Sequence, residues 1–191
     1  VMPDRIEAGT FCVASTLSNG NLEICNINSK IIKTELSLLK KAGAKIKIEK
    51  DKIFIKGPQK IKSIKNIKTK EWPGVATDMQ SQFMVLMCKA TGKSVITENI
   101  FENRFLHVGE LQRLGANIQI KKNKAIIEGN TKFIAAELMS SDLRASVALV
   151  LAAIVSNGKS EINRIYHLDR GYEKIENKLK KIGVKIKRLR R

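Results

Sequence analysis

The sequence predicts an α/β fold in which three βαβαββ-type repeats surround buried helices. Two observations lead to this fold class. An aspartate precedes an apolar, helix-like run three times along the chain, and a glycine followed by an alternating strand pattern comes after each run. An aspartate ahead of an apolar run is typical of a helix N-cap, because its carboxylate accepts backbone N–H groups of the first turn. The three aspartates are Asp4, Asp78 and Asp142.

The elements of one copy follow from its apolar residues, in chain order. An apolar run predicts the first helix, alternation of apolar and polar residues predicts the strand after it, and helical spacing predicts a second helix. The second helix ends at a glycine that follows lysine or arginine, which is typical of a helix C-terminus. Two further alternating stretches predict a hairpin. In the first copy these elements fall at residues 11–14, 22–27, 36–42, 45–48 and 53–55.

The second copy repeats this order, and the third copy stops short of it. The second copy has its elements at residues 83–88, 94–100, 111–114, 117–120 and 125–127. The third has them at residues 145–155, 160–165, 175–182 and 184–187, with no return strand. Residues 61–68 and 133–139 predict strands that lead into the next copy. We therefore predict one domain, 1–191, with internal repeats at approximately 1–60, 61–130 and 131–191.

The two classes of helix indicate how the layers are arranged. The second helices are amphipathic and belong at a surface, whereas the first helices, above all residues 145–155, are apolar nearly all round. A helix that is apolar on every side must be surrounded by protein. We therefore expect the three apolar helices to pack together around a pseudo-threefold axis, with the sheets outside.

Composition excludes a membrane-spanning protein of the usual helical kind. The longest nearly apolar run, residues 145–155, has 11 residues, whereas about 20 are needed to cross a bilayer. No basic and then apolar signal peptide opens the chain, so we expect a cytoplasmic protein without a membrane partner. Cysteines at positions 12, 25 and 88 form no CxxC pair, and we expect buried, inert thiols rather than a metal site or a nucleophile.

The net charge of +18, from 36 Lys+Arg and 18 Asp+Glu, allows two interpretations. One is a solvated, lysine-rich surface, which the lysines in the predicted hairpin turns favour. The other is a polyanionic partner, either nucleic acid or a phosphorylated small molecule. Aromatic residues make up only 5% of the chain, and this scarcity argues against nucleic acid, because single-strand binders stack bases on rings.

Cations recur near the starts of the predicted helices. They are Lys30, Arg104 and Arg170 ahead of the second helices, and Arg144 in the first turn of the third apolar helix. A cation opposes the helix dipole at that end. Pairing with a neighbouring carboxylate, such as Glu102 or Asp169, would account for each of them separately. An anion shared by all of them would account for them together, and we favour it.

Five motifs resemble the UDP-N-acetylglucosamine enolpyruvyl transferase family, in order and over the whole chain. They are PDRIEAGT at 3–10, TDMQ at 77–80, FENRF at 101–105, DLRAS at 142–146 and YHLDRGYE at 166–173. The resemblance implies one lobe of an inside-out α/β barrel, a fold shared with 5-enolpyruvylshikimate-3-phosphate synthase. The family's enzyme is about twice this length and has its active site between two lobes. This chain looks like the second lobe, so we expect it to be inactive alone.

The resemblance also implies what the rest of the enzyme supplies. The other lobe carries the family's Lys-Asn pair and its cysteine-bearing lid loop, which have no counterpart here. In the family the first strands of the enzyme complete this lobe. We therefore expect an exposed sheet edge near residues 184–189, a place prone to pairing with another chain.

The resemblance assigns roles to six residues. Asp78 would bind the 3-hydroxyl of UDP-N-acetylglucosamine and remove its proton as the oxygen attacks phosphoenolpyruvate. Arg104 and Arg144 would hold the carboxylate of phosphoenolpyruvate and Arg170 its phosphate, since guanidinium engages two oxygens at once. The family contacts the nucleotide-sugar through backbone at the position of Ile100, and Thr77 lies beside the same site. No metal and no cofactor is implied.

Other singled-out residues have structural expectations. We expect His107 and His167 to support or cap the site rather than to act as acid or base, and Trp72 to be a packing anchor beside the cleft. Gly109 stands where the family often has proline and weakens its helix by up to about 1 kcal/mol. Two alternative hypotheses remain beside the UDP-N-acetylglucosamine enolpyruvyl transferase lobe. They are a lobe of 5-enolpyruvylshikimate-3-phosphate synthase and a basic, repeat-built nucleic-acid-binding module.

Overall fold

The computed structural model describes residues 2–189 as seven α-helices and nine strands within that range. In chain order they are α1 (Arg5–Leu17), β1 (Asn21–Cys25), α2 (Lys33–Lys41), β2 (Lys45–Glu49), β3 (Lys52–Lys56), β4 (Asn66–Lys68), α3 (Gln80–Lys89), β5 (Lys93–Thr97), α4 (Val108–Arg113), β6 (Asn117–Lys121), β7 (Lys124–Glu128), β8 (Glu137–Met139), α5 (Leu143–Ile154), β9 (Glu161–Asn163), α6 (Tyr166–Asp169) and α7 (Ile175–Lys181). Two 3-10 turns, Ser29–Ile32 and Thr77–Met79, precede α2 and α3.

The three apolar helices lie at the centre, as predicted. Helices α1, α3 and α5 pack on one another, and all residues of α3 from Gln80 to Cys88 are buried. Gly9 allows a close approach in this bundle, because a Cβ at that position would lie 2.9 Å from Cε of Met79. The Thr10 hydroxyl bonds to the Tyr172 hydroxyl at 2.8 Å and accepts from Gln82 Nε2 at 3.1 Å. This polar contact joins α1 and α3 to the segment between α6 and α7.

Three sheets cover the bundle. The first has the antiparallel order β1-β3-β2, the second has the order β4-β5-β7-β6 with β4 parallel to β5, and the third is the parallel pair β8-β9. Alternate residues of β3 and β7 point to the core, among them Ile53, Ala125 and Ile127, which are fully buried. Helices inside and sheets outside is therefore the observed arrangement, and the predicted fold class is confirmed. The division into copies at 1–60, 61–130 and 131–191 stays a prediction.

The helix ends follow the predicted chemistry at five of six positions. Asp4 Oδ1 accepts from the N–H groups of Ile6 and Glu7, and Asp142 Oδ1 accepts from those of Arg144 and Ala145, so two of the three N-caps are confirmed. At the other end, α2, α4 and α7 each stop at a glycine with positive φ. These glycines are Gly43, Gly115 and Gly183, with φ of 106°, 95° and 93°.

The strand predicted at 184–187 is wrong, and so is the exposed sheet edge expected near 184–189. Residues 184–189 form no strand, although their exposure alternates and Val184 and Ile186 pack beside the apolar cluster of α5 and α7. In the second sheet, β7 lies between β5 and β6. The third copy has no equivalent of β7 within the described residues, so this segment has no strand to pair with. The third sheet therefore ends at β9.

No helix in the described part of the chain combines the length and the apolar character needed to cross a membrane.

Candidate active site

Asp78 lies in the 3-10 turn Thr77–Met79 and does not cap α3, so this part of the N-cap prediction is wrong. Helix α3 begins two residues after Asp78, at Gln80, and its N-cap residue Met79 makes no side-chain capping bond. The Asp78 carboxylate is directed to a charged donor from another helix instead. Arg144 Nε donates to Asp78 Oδ1 at 2.5 Å, and Nη2 of the same guanidinium also contacts this oxygen.

Two arginines converge on this carboxylate from different parts of the chain. Arg144 stands in the first turn of α5, whose start is fixed by the Asp142 cap. Arg104 lies in the loop after β5, with its Nη1 3.9 Å from Asp78 Oδ1 and its guanidinium 4.3 Å from the centre of the Phe101 ring. Both arginines approach Oδ1. Asp78 Oδ2 accepts no hydrogen bond from residues 2–189.

Glu98, which the sequence reasoning missed, supports both sides of this cluster. It is buried, with 3% of its surface exposed. Its Oε2 accepts from the Thr77 hydroxyl at 2.9 Å, and its Oε1 accepts from the Ile100 N–H at 2.9 Å. The sequence does carry a signal for it: Ser94 and Ile96 of β5 are buried, and period two places Glu98 on the same inner face. Two site residues predicted from the resemblance therefore share one carboxylate.

Ile100 has its N–H occupied and its carbonyl open. The N–H donates to Glu98, and the Ile100 carbonyl oxygen accepts no hydrogen bond within the described range. Beside it lies a cleft of about 760 Å³ lined by the loop 98–106 and by Ile120, Lys122 and Asn123 of the β6–β7 hairpin. A depression of about 510 Å³ on the first sheet contains none of the predicted site residues. Among the predicted site residues, Ile100 and Arg104 line the cleft of about 760 Å³, whereas Asp78 and Arg144 do not. The candidate site is therefore the Asp78 cluster together with this cleft, and Arg104 belongs to both.

Arg170 does not join the Asp78 cluster directly. It follows α6 as an exposed residue, and no hydrogen bond or ion pair links it to Asp78, Arg104 or Arg144 in the part of the chain that the structure describes. The next residue, Gly171, lies against the start of α5, where a Cβ would be 2.8 Å from Leu143 Cδ2. Arg170 is thus attached beside the turn that carries Arg144.

The pairing of Arg170 with Asp169 that sequence reasoning left open is not observed. Asp169 instead accepts two bonds from Arg188, at 2.5 and 2.9 Å. The hydrogen bond from Arg188 outweighs burial and lowers the pKa of Asp169. The fourth cation, Lys30, is exposed in the turn before α2 and makes no ion pair within residues 2–189.

The two histidines cap no helix through their side chains. His107 precedes α4 but makes no capping bond. Burial lowers the pKa of His107 to about 4, and nearby Asp142 raises it by less. It is therefore neutral near pH 7. The His167 ring contacts the Tyr166 ring, with ring centres 4.2 Å apart and the ring planes tilted by 38°.

Two expectations for single residues are wrong. Trp72, expected as a packing anchor, is 65% exposed. The loop that carries it is fastened by other groups, since Thr34 Oγ1 donates to the Pro73 carbonyl and Ala76 N–H donates to Glu35. Of the three cysteines expected to be buried, Cys12 and Cys88 are, but Cys25 is exposed. It lies at the end of an edge strand, on the outer face.

The chain is similar to known proteins in both sequence and fold. Residues 1–179 match the family model described as EPSP synthase (3-phosphoshikimate 1-carboxyvinyltransferase). The chain is similar to UDP-N-acetylglucosamine 1-carboxyvinyltransferase of Pelagibacter ubique (strain HTCC1062), with 63% identity over 99% of this chain and 45% of the relative. The protein of the same name from Geobacter metallireducens (strain ATCC 53774 / DSM 7210 / GS-15) is 50% identical over 100% and 45%. The chain thus spans about half the length of the curated relatives it matches.

Solved structures show the same fold. The enolpyruvyl transferase NikO from Streptomyces tendae superimposes with a TM-score of 0.88 at 26% identity, over 98% of this chain and 44% of that one. EPSP synthase from Acinetobacter baumannii gives a TM-score of 0.82 at 19% identity, over 100% and 48%. At that identity the second likeness is one of fold alone.

Proposed function

The chain belongs to the EPSP synthase (3-phosphoshikimate 1-carboxyvinyltransferase) family, and from this premise we propose that it forms one lobe of a UDP-N-acetylglucosamine enolpyruvyl transferase. The complete enzyme would move the enolpyruvyl group of phosphoenolpyruvate to the 3-hydroxyl of UDP-N-acetylglucosamine and release phosphate. The observation that carries the proposal is the Asp78 carboxylate, with one oxygen held by Arg144 and approached by Arg104.

The geometry suits a base whose carboxylate must point in a fixed direction. The hydrogen bond from Arg144 Nε, which holds Oδ1 at 2.5 Å, fixes that direction. The open Oδ2 is then available to accept a hydroxyl proton. A base must lie within hydrogen-bond reach of the proton it removes, and the exposed side of Asp78 offers that access.

The proposed reaction is an addition followed by an elimination. The sugar 3-oxygen bonds to C2 of phosphoenolpyruvate as its proton passes to Asp78, and C3 takes up a proton to become a methyl group. Loss of a proton from that methyl group and departure of phosphate then restore the double bond. Arg104 and Arg144 would hold the carboxylate of phosphoenolpyruvate, and Arg170 would receive the phosphate. Positioning and cationic stabilisation are what these residues contribute.

UDP-N-acetylglucosamine is favoured as the acceptor over shikimate-3-phosphate. The relative at 63% identity carries the name UDP-N-acetylglucosamine 1-carboxyvinyltransferase, whereas the solved EPSP synthase is 19% identical. The open carbonyl of Ile100 beside a cleft of about 760 Å³ supports a backbone contact with the nucleotide-sugar.

The partner of this chain would be the remaining lobe of the same enzyme. Coverage of 45% of the relatives supports this, as does the third sheet, which has two strands where the second has four. The active site would then lie between the two lobes, and the isolated chain would not catalyse the reaction. We place the reaction in the cytoplasm, at the first committed step of peptidoglycan synthesis, and so in cell-wall biogenesis, cell shape and cell division.

A hybrid enzyme tests the proposal. Residues 1–191 would replace the matching segment of the Pelagibacter ubique relative, and phosphate release would be followed with phosphoenolpyruvate and either acceptor. We expect turnover with UDP-N-acetylglucosamine and its abolition in Asp78→Ala. A preference for shikimate-3-phosphate would overturn the choice of acceptor. Near-wild-type turnover of Asp78→Ala would exclude Asp78 as the base.

A nucleic-acid module is the competing class, since the charge of +18 invites polyanions. It predicts binding of random duplex DNA that weakens steeply with salt and is indifferent to Asp78→Ala. We expect no measurable affinity for a fluorescent 20-base-pair duplex near physiological salt. Tight, salt-dependent binding there would favour the module.

A further inference from the structure

We propose that Glu98 is a positioning residue, which sets the Asp78 turn and the loop of Ile100 and Arg104 in one fixed arrangement. Its effect on catalysis rests on the proposed function. Its effect on the geometry of the chain does not.

Glu98 accepts four hydrogen bonds from two separate segments and a neighbouring strand. Oε1 accepts from the Thr69 hydroxyl at 2.8 Å, from the Ile100 N–H at 2.9 Å and from the Phe101 N–H at 3.3 Å. Oε2 accepts from the Thr77 hydroxyl at 2.9 Å. Its backbone is fixed as well, because Glu98 N–H donates to the Asn123 carbonyl at 2.9 Å.

The burial of Glu98 indicates that hydrogen-bond acceptors, rather than an apolar side chain, are needed at this place. Only 3% of the residue is exposed, and it has no ion pair with a cation among residues 2–189. A buried carboxylate is stable where donors replace its water, and here neutral donors do so at both oxygens. An apolar side chain of the same size would fill the space but would leave the donors of Thr69, Thr77 and Ile100 without acceptors.

The bonds of Glu98 close a ring of contacts around the candidate site. Thr77 precedes Asp78, and Phe101 supports the Arg104 guanidinium at 4.3 Å. Arg104 then returns to Asp78, with 3.9 Å between Nη1 and Oδ1. Glu98 thus links the turn that carries Asp78 to the loop that carries Arg104. If the hydrogen bonds from Glu98 to either segment are lost, the distance between Asp78 and Arg104 is no longer fixed.

The first test uses the 191-residue chain itself, with Glu98→Ala, Glu98→Gln and the control Ser94→Ala. Ser94 is buried on the same face of β5, and its hydroxyl has no hydrogen-bond partner within the described residues. NMR would record amide exchange of Ile100 and Phe101 and the Nε–H signal of Arg144. Amides of α1 would report whether the bundle remains folded.

We expect Glu98→Ala to speed exchange at Ile100 and Phe101 by about 10- to 100-fold and to shift or broaden the Arg144 signal, with α1 unchanged. Glu98→Gln should preserve most of the protection, because its carbonyl has two lone pairs for the donors of Thr69 and Ile100 while the Thr77 hydroxyl turns to accept from its amide. Ser94→Ala should resemble the wild type. Unchanged exchange and an unchanged Arg144 signal in folded Glu98→Ala would overturn the proposal. If that variant is unfolded, Thr77→Val decides through the Arg144 signal alone.

Kinetics in the hybrid enzyme provide the second test. A positioning role predicts that Glu98→Ala raises KM for UDP-N-acetylglucosamine and lowers kcat, each by about 10-fold or more, with substantial rescue by Glu98→Gln. A role in folding alone would lower the active fraction and leave KM unchanged, which would overturn the proposal. An inactive wild-type hybrid would count against the proposed function, whereas the NMR result on the chain would still decide whether Glu98 sets the geometry.

Discussion

Removing the cap of α5 should weaken the whole domain, because this helix is both part of the core and the carrier of Arg144. In the wild type, the N–H groups of Arg144 and Ala145 donate to Asp142 Oδ1 at 2.8 and 3.1 Å. The variant Asp142→Ala removes this acceptor. The helix behind them is 12 residues long, and its residues from Ala145 to Ala152 are buried. Fraying at its start therefore disturbs packing as well as hydrogen bonding.

The size of the effect follows from the number and exposure of these bonds. Loss of an N-cap costs about 0.5–2 kcal/mol, and typically about 1. Both bonds of Asp142 are part-buried, so water replaces them incompletely, and we expect about 1.5 kcal/mol. For a domain of this size that corresponds to roughly 3–6 °C in Tm. Asp142→Asn keeps an acceptor and should cost less than about 0.5 kcal/mol.

The effect should also depend on pH. Burial by itself would raise the pKa of Asp142, but the N–H donors of Ala145 and Arg144 outweigh it and lower this pKa below its ordinary 3.8. A carboxyl group with a lowered folded pKa stabilises the protein above the unfolded pKa, and this stabilisation is lost as pH falls through the folded pKa. The difference between wild type and Asp142→Ala should thus be full at pH 7 and shrink below pH 3.8.

Urea unfolding followed by far-UV circular dichroism measures these differences at each pH. Asp4→Ala is the matched control, since Asp4 caps α1 with the same pair of bonds at a more exposed site. It should cost about 1 kcal/mol. A loss under about 0.5 kcal/mol in Asp142→Ala, or an equal loss in Asp142→Asn, would refute the reasoning.

Three further outcomes are expected. One thiol, Cys25, should react with a disulfide reagent in the native chain, because burial raises the pKa of both other cysteines to about 12. Glu23→Gln should speed this reaction, since the Glu23 carboxylate raises the pKa of Cys25. Equal reaction rates at the three thiols would contradict the prediction. Gly109→Ala should stabilise α4 by about 0.5–1 kcal/mol in urea unfolding, because nothing lies within 4 Å of the added Cβ; destabilisation would show that the glycine is needed. Arg188→Ala should raise the pKa of Asp169 toward its ordinary value in a carbon-13 NMR titration, because the Arg188 hydrogen bond now lowers it; an unchanged pKa would mean that another group holds the carboxylate.

Local patterns predicted most of the fold but not the detail of the site. Alternation, helical spacing and glycines at helix ends depend on neighbouring residues, and the elements they predict are observed except for the strand at 184–187. The same reasoning treated Asp78 as equivalent to Asp4 and Asp142. It is not, because Arg144, 66 positions away, competes for its carboxylate. Long-range pairing of this kind leaves no local pattern in the sequence.

Burial was the other quantity that single residues could not reveal. Trp72 is apolar and yet exposed, whereas Glu98 is charged and yet buried. Each depends on what surrounds it in three dimensions. For Glu98 the period of β5 was a usable signal, since every second residue from Ser94 points inward. For residues 184–189 the alternation was real, but a strand also needs a partner that the described chain does not supply.

The contact between Asp78 and Arg144 makes the candidate site sensitive to the orientation of helix α5 in the bundle. Helix α5, with 12 residues, is about 18 Å long at 1.5 Å per residue. A tilt of about 5° around its far end would swing its first turn by roughly 1.6 Å by that same geometry, more than a bond of 2.5 Å can tolerate. Substitutions in the α3–α5 interface at the far end of α5 can therefore displace Arg144 from Asp78 by tilting the helix.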